Sequence, residues 1–444
     1  MNSTLEKRLS IVHNDEFRKL LSMFKCGEMP EFNAGMTDHF LIAKEKREVF
    51  LNHPKALGIS IGGTNTKIIL AAMKNGELVV HHAEALINPP ERIHIYEFFN
   101  KVLLNSPVFA DYLKNTPRPV VGISVPTRIL GKIPFHETKV PTIDGLLARN
   151  ESHMTEEYDL SQSFAKYLDG HKLPQAVLFY QADGIVAHHG AVSLCDMDVQ
   201  DRSTLFVCGT GMATGDEEAY IQAGIARMLD VGDEELFPAQ ATENYQFHYA
   251  TAGKGIFSLM DRAIRIRAAE KGSALAGYDL SPFFAGNQAT RTVGLLWKTS
   301  FGEKAIDDAE KIQARVSSEA YKELEILAGW IMRRCVHSMA NTVVATVAKT
   351  GQAPSGRGHT IFFEGSIAND TCVNPLLRKE IKELVENEES YKSLGYKKPI
   401  LPNMNAKYRR TIPAAGTSRD EMKNVDLTVI GAATMAMAEN IRNS

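Results

Sequence analysis

Three groups of residues in this chain have the types and spacing to handle a phosphate ester. Gly62-Gly63-Thr64-Asn65-Thr66-Lys67 and Gly209-Thr210-Gly211 are glycine-rich turns, each following an apolar run, Ala56 to Ile61 and Leu205 to Cys208. Without a Cβ in the way, backbone N–H groups at such turns can close on an anion. Thr64 and Thr210 add hydroxyls, and Lys67 adds a cation. Between the turns stands an acid, Asp183, just after the apolar stretch Ala176–Tyr180. Two such turns facing each other would grip the phosphates of one nucleotide from both sides, while the acid activates an acceptor hydroxyl. That is the chemistry of phosphoryl transfer.

Each part also has a plainer reading. A glycine turn after a strand is by itself most often a hairpin, and an acid after a strand is commonly a helix N-cap. The conjunction of the parts is what favours phosphate binding. Neither turn fits the better-known nucleotide motifs. There is no Gly-x-x-x-x-Gly-Lys-Ser/Thr, and Gly209-x-Gly211-x-x-x-Gly215 has the wrong spacing for a dinucleotide fingerprint. His188 and His189 are adjacent and so point apart on a helix, as surface or packing residues rather than metal ligands. Ser124 and Thr138-Lys139 are polar residues near strand ends.

The elements that must carry these residues alternate between strands and helices. Ala56–Ile61 and the following stretch to Met73 read as strands, and Lys74-Asn75-Gly76 is a strong hairpin signal leading to Glu77–Val80. Val120–Val125, Ala176–Tyr180, Thr204–Cys208, Ala219–Met228 and His359–Glu364 are further strand candidates. Helices are expected from the spacing of Phe17, Leu20, Leu21 and Phe24, over Glu156–Leu168, over Asp307–Lys349 as one or two segments, from Asn374-Pro375 with Leu377, Ile381, Leu384 and Val385 on one face, and from Ile430 onward. The class is α/β with mixed sheets.

A chain of 444 residues exceeds one compact core and reads as two domains. A formal net charge of -3 gives no support for broad electrostatic capture of nucleic acid or an anionic membrane. The five scattered cysteines show neither zinc spacing nor a disulfide framework, and no apolar stretch approaches the ~20 residues of a bilayer span. The N-terminal residues lack the apolar core of a signal peptide. A reducing, cytoplasmic setting is expected.

At these residues the sequence resembles the hexokinase family, within the sugar kinase, Hsp70 and actin superfamily. Leu57-Gly58-Ile59-Ser60-Ile61-Gly62-Gly63-Thr64-Asn65-Thr66-Lys67 is similar to the family's first phosphate motif, Leu-Asp-Leu-Gly-Gly-Thr-Asn-x-Arg. Ser124-Val125-Pro126 resembles its Ser-Phe-Pro, Glu137-Thr138-Lys139 its Trp-Thr-Lys, and Ile143-Asp144-Gly145 its downstream turn. Ala182-Asp183-Gly184 resembles its Asn-Asp-Thr, where the Asp is the general base. Gly209-Thr210-Gly211 resembles the second phosphate motif, Phe363-Glu364-Gly365-Ser366 the adenosine strand, and Ile430-Gly431-Ala432-Ala433 the C-terminal helix. The motifs keep their order over almost the whole chain.

The resemblance implies a two-domain actin-like ATPase (ribonuclease H-like) α/β fold with mixed sheets around a central cleft. By the family pattern, residues 54–181 and 429–444 form the small domain, and 1–53 and 182–428 the large one. It implies transfer of the ATP γ-phosphate to the 6-hydroxyl of glucose or a related hexose, with ATP and Mg2+ required and no side chain binding the metal directly. Asp183 and Lys139 are the implied catalytic residues. Ser124, Thr138, Lys139, Asp183, Asp230 and His248 would meet the sugar. Gly62, Gly63, Thr64, Asn65, Lys67, Gly209, Thr210, Gly211, Gly365, Ser366 and Gly431 would meet the nucleotide.

Departures from the family pattern fall on the magnesium and sugar contacts. The family's Asp in the first phosphate motif is Ser60 here, its Asn before the base is Ala182, the Asn after the second phosphate loop falls near Met212-Ala213, and two sugar-binding Glu positions correspond to Asp230 and His248. A second reading is therefore a sugar or nucleotide sensor of weak or no activity on the same fold. Oligomeric state is not readable from the sequence.

Overall fold

The computed structural model describes residues 4–9, 46–62, 65–88, 95–125, 128–130, 133–135, 139–140, 148–149, 160–195, 203–208, 212–216, 221–222, 253–283, 288–300, 307–350, 359–365, 367–386, 404 and 410–442. The helix expected from Phe17 to Phe24 lies outside these residues.

Two compact units emerge. One comprises Met29–Leu205, Gly215–Tyr220 and Asn405–Ser444; the other comprises Met1–Glu28, Phe206–Thr214 and Ile221–Met404. In this division residues 29–53, 182–205, 215–220 and 405–428, which the family pattern groups with the large domain, go with the first unit. The cause is packing: the C-terminal helix, Leu427–Arg442, lies directly on the Asp183–Leu194 helix.

Strands are numbered in chain order. In the first unit they are β1 (Ala56–Ile61), β2 (Asn65–Lys74), β3 (Glu77–Ile87), β4 (Val120–Val125), β5 (Arg128–Leu130), β6 (Ile133–Phe135), β7 (Lys139–Val140), β8 (Ala148–Arg149) and β9 (Val177–Ala182). Next come β10 (Ser203–Cys208), β11 (Met212–Asp216), β12 (Ile221–Gln222), β13 (Thr360–Glu364) and β14 (Thr411–Pro413).

A six-stranded sheet in the order β14-β3-β2-β1-β4-β9 is the frame of the first unit. β1, β2 and β3 form an antiparallel meander, while β1, β4 and β9 run parallel. The Asn75-Gly76 corner has φ of 51° and 78°, both positive as a primed hairpin turn demands. Strand parity divides the core. Leu57, Ile59, Ile61, Val121, Ile123 and Val125 face a cluster containing Phe98, Phe99, Phe109, Phe164 and Tyr167. There Phe99 meets Phe164 edge to face, with ring centroids 5.3 Å apart. On the other face Ala56, Val120 and Phe179 share a core with Ala432, Ala433 and Ala436 of the C-terminal helix.

That helix comes unusually close to its neighbours. A Cβ on Gly58 would fall 2.8 Å from the Ala433 nitrogen, and one on Gly122 would fall onto the Ala432 carbonyl. Gly190 and Gly431 do the same service between the helix and its Asp183–Leu194 partner. Small residues here let backbones pack where side chains normally intervene.

The second unit contains most of a four-stranded sheet, β12-β11-β10-β13, and, among the described residues, six α-helices: Thr4–Leu9, Gly253–Ala269, Gln288–Ser300, Asp307–Gln313, Ser318–Thr350 and Val373–Glu386. The expected Asp307–Lys349 block is thus two helices. Val373–Glu386 buries Val373, Leu377, Ile381 and Val385 on one stripe, as its spacing predicts. Of the strand expected over Ala219–Met228, the structure describes only β12. No described helix is long and apolar enough to cross a membrane.

Candidate active site

The first unit assembles its chemistry at the carboxyl ends of three parallel strands. Register pairs Ser60 of β1 with Ser124 of β4, and Ser124 with Gln181 of β9. On the antiparallel side Ser60 pairs with Lys67 of β2. Paired residues in neighbouring strands share a face, so Lys67, Ser60, Ser124 and Gln181 form one polar row. The same face carries Ala56, Gly58 and Gly122 beneath the C-terminal helix. The row begins where the apolar packing stops. Two residues past Gln181, β9 gives way to a helix whose first residue is Asp183. Crevices outside the carboxyl ends of strands are where open α/β sheets bind ligands.

Ser124 is the most telling member. It is 1 % exposed, and its Oγ has no hydrogen-bond partner among the described residues. A buried hydroxyl left unpaired costs about 1–3 kcal/mol, which a ligand hydroxyl can recover. Asp183 is half-buried, and its Oδ1 accepts from the Gly184 N–H at 2.7 Å. The helix start thus fixes the carboxylate's orientation, so capping and catalysis are compatible uses of one side chain.

The first glycine turn is tightly braced. Gly62 N–H donates to the Asn65 carbonyl at 2.9 Å, and a Cβ on Gly62 would meet that same oxygen at 2.9 Å. Asn65 is exposed at the start of β2. Lys67, expected to meet phosphate, has its charge matched within the fold: Nζ lies 2.5 Å from Asp426 Oδ2. Gly431, also expected at the nucleotide, is buried against the Val186 carbonyl. The role its surroundings give it is helix packing.

Lys139 lies in β7, paired with Arg149 of β8. Gly63, Thr64, Thr138, Gly209, Thr210, Gly211, Asp230, His248 and Ser366, with the Lys139 side chain, lie outside the described residues. In the second unit, Gly365 closes β13 with φ of 93°, where a Cβ would strike the Cys208 carbonyl. The Ile367 N–H donates to that carbonyl at 3.1 Å. The expected adenosine turn is therefore stitched to the end of β10, immediately before Gly209. Burial pushes the Cys208 thiol up to about 12, so it is an uncharged packing residue there.

His188 and His189 are both buried, not on the surface. His188 Nε2 lies 2.7 Å from Ser203 Oγ, and His189 Nδ1 contacts Thr434 and Ser193 hydroxyls. Among the described residues no cluster of three or more His, Cys, Asp or Glu could hold a metal ion.

Sequence reasoning missed Gln181, Asn88 and Asp426. Gln181 carried a signal: two residues before Asp183, it shares that acid's strand parity. Asp426 also carried one, as an acid directly ahead of a helical run. Its Oδ1 caps the C-terminal helix by accepting from Val429 N–H at 2.9 Å.

No family model matches the chain, and no curated protein matches it in sequence. Solved structures do match in shape. A hexokinase from Schistosoma mansoni complexed with glucose superposes with a TM-score of 0.59 at 11% identity, covering 96% of this chain and 97% of that one. A second structure described as hexokinase gives 0.59 at 12% identity, covering 98% and 97%. At such identities the likeness establishes architecture: the chain has the two-domain, actin-like α/β fold that those hexokinases have, along nearly its whole length.

Proposed function

We propose that this chain is an ATP-dependent hexokinase, a phosphotransferase that moves the γ-phosphate of ATP to the 6-hydroxyl of glucose or a related hexose. The observation that carries the reading is the polar row Ser60–Ser124–Gln181 running up to Asp183 at the carboxyl ends of β1, β4 and β9. A hexose needs several hydrogen-bonding groups around one acidic acceptor, and the orphaned Ser124 hydroxyl is ready to supply one.

Asp183 takes the proton from the attacking hydroxyl, as a carboxylate held within reach of that proton can. Ser124, Thr138 and Lys139 orient the sugar, together with Asp230 and His248. Gly62, Gly63, Thr64 and Asn65 hold the phosphates from one side. Gly209, Thr210, Gly211, Gly365 and Ser366 serve the second phosphate contact and the adenosine. Most of the rate gain comes from positioning and from stabilising charge.

Mg2+ would travel with the nucleotide. Where the resemblance expects an acid, Ser60 offers only a hydroxyl, and no acidic cluster among the described residues competes for the ion. Those residues fit a metal held chiefly by the ATP phosphates, whose charge it would neutralise.

A coupled assay of ADP release with Mg-ATP and a panel of hexoses, run beside Asp183→Ala, tests this. Release should depend on one sugar and fall by at least about 100-fold in the variant, the contribution of a positioned base. The Ser60 departure favours the sensor as second reading. Clear sugar or ATP binding by calorimetry, with no turnover of any hexose, would establish it instead.

A further inference from the structure

The turn at Gly62 is held by a side chain that lies outside every motif described above. Asn88, the first residue after β3, is 6 % exposed. Its Nδ2 donates to the Gly62 carbonyl at 2.7 Å, and its Oδ1 accepts from Thr66 Oγ1 at 2.7 Å. Thr66 is fully buried. The arrangement permits no alternative assignment. A backbone carbonyl can only accept, so the amide nitrogen must face Gly62; the amide oxygen then faces Thr66, whose hydroxyl must donate.

Gly62 is thereby fixed at both polar atoms: its N–H by the Asn65 carbonyl and its C=O by Asn88. A peptide group is planar and trans, so fixing a carbonyl also fixes the N–H on the opposite side of the same group. A carbonyl held on one side of a turn leaves the amide that follows it to face the other side. A phosphate site made of backbone donors depends on that choice, because a flipped peptide presents an oxygen to the anion instead of a proton donor.

We propose that Asn88, with Thr66, is a positioning residue for the nucleotide phosphates, setting which way the first peptide of the glycine turn points. This rests on the reading of residues 62–67 as a phosphate loop. Removing the clamp leaves the residues that would meet the ligand in place but lets the turn sample both peptide orientations. Nucleotide binding should suffer while sugar binding does not.

The test is calorimetry on the full chain with Mg-ADP and, separately, with the hexose that turns over best. Asn88→Ala should weaken Mg-ADP about 10-fold, and Thr66→Val, which removes one arm of the clamp, about 3-fold. Hexose affinity should stay within about twofold in both, a split that a general loss of stability would not produce. A folded Asn88→Ala variant that binds Mg-ADP like the wild type overturns the proposal. Should that variant fail to fold, unchanged Mg-ADP affinity in Thr66→Val overturns it equally. Wild-type protein that binds hexose but no Mg-ADP would bring down the phosphate-loop reading itself, a result distinguishable from failure of the clamp alone.

Discussion

Lys67 and Asp426, 359 residues apart in sequence, meet at 2.5 Å and tie the strand after the first glycine turn to the start of the C-terminal helix. Asp426 does two jobs with its two oxygens. Oδ2 takes the lysine, and Oδ1 caps the helix at Val429. The jobs can be separated by substitution. Both side chains are 28% exposed, so the pair should contribute less than about 1 kcal/mol. The cap should contribute about 1 kcal/mol. Asp426→Asn keeps the cap acceptor but replaces the lysine's partner oxygen with an NH2 group that cannot accept from it, so its melting temperature should fall slightly. Asp426→Ala loses both, about 1–2 kcal/mol of stability in total, and should melt lower still. Equal losses in the two variants would show that the cap carries no weight.

Ser124→Ala offers an unusual pairing of outcomes. Truncating a buried polar side chain normally costs stability because a partner is stranded. Ser124 Oγ has no partner to strand, so the variant should melt at or above the wild-type temperature. If the hydroxyl serves the sugar, the KM for hexose should nevertheless rise about 10-fold, the loss of one well-made hydrogen bond. A destabilised variant with unchanged KM would remove Ser124 from the site.

The close approach of the C-terminal helix makes a sharp contrast among glycines. Gly122→Ala and Gly431→Ala each drive a methyl group into a backbone carbonyl, of Ala432 and Val186 respectively, which no rotamer change relieves. Overpacking of this kind costs about 1–3 kcal/mol or more. Gly294 sits inside the Gln288–Ser300 helix, where an added methyl group would meet nothing within 4 Å. Gly294→Ala should therefore stabilise, by up to about 1 kcal/mol from helix propensity. Melting temperatures moving in opposite directions would confirm the assignment, and parallel shifts would refute it.

The same glycines show what a sequence read residue by residue can and cannot reveal. Asn75-Gly76 is legible because the requirement is local: two consecutive positive φ angles suit those residue types. The apolar runs of β1, β4 and β10 are legible because each strand is largely buried on both faces. Asp183 is legible from its place after a strand. Gly431 is not, since a glycine looks alike whether it yields space to a phosphate or to a neighbouring helix. Only the Val186 carbonyl above it shows which. The clamp of Asn88 on Gly62 and the Lys67–Asp426 tie are side-chain pairings brought together by strand order and helix packing, so no spacing rule points to them. The packing of the Asp183 helix is hidden from the sequence for a related reason. The family pattern puts the Asp183 helix in the large domain, but its helix-to-helix contact at Gly190 and Gly431 holds it with the six-stranded sheet.

His53 provides a pH test of the same unit. It is 2 % exposed, and burial holds its pKa below the ordinary value of 6.5. Nδ1 lies 2.8 Å from the Pro54 carbonyl, which can only accept, so Nδ1 carries the proton in the neutral ring. Nε2 then accepts from Asn440 Nδ2 at 3.1 Å, tying the C-terminal helix to the residues before β1. A second proton on Nε2 would destroy that contact and put a charge in a buried site. Because the folded pKa is the lower one, the unfolded chain binds more protons as pH falls through 6.5, and stability drops. The loss from this residue should begin as pH passes below about 7 and level off once pH is below the folded pKa. His53→Gln keeps hydrogen-bonding groups but cannot titrate, so its melting temperature should fall less than the wild type's between pH 7.5 and pH 5.5, two conditions chosen to lie about one unit either side of the histidine range. Parallel falls in the two proteins would place the acid sensitivity elsewhere in the chain.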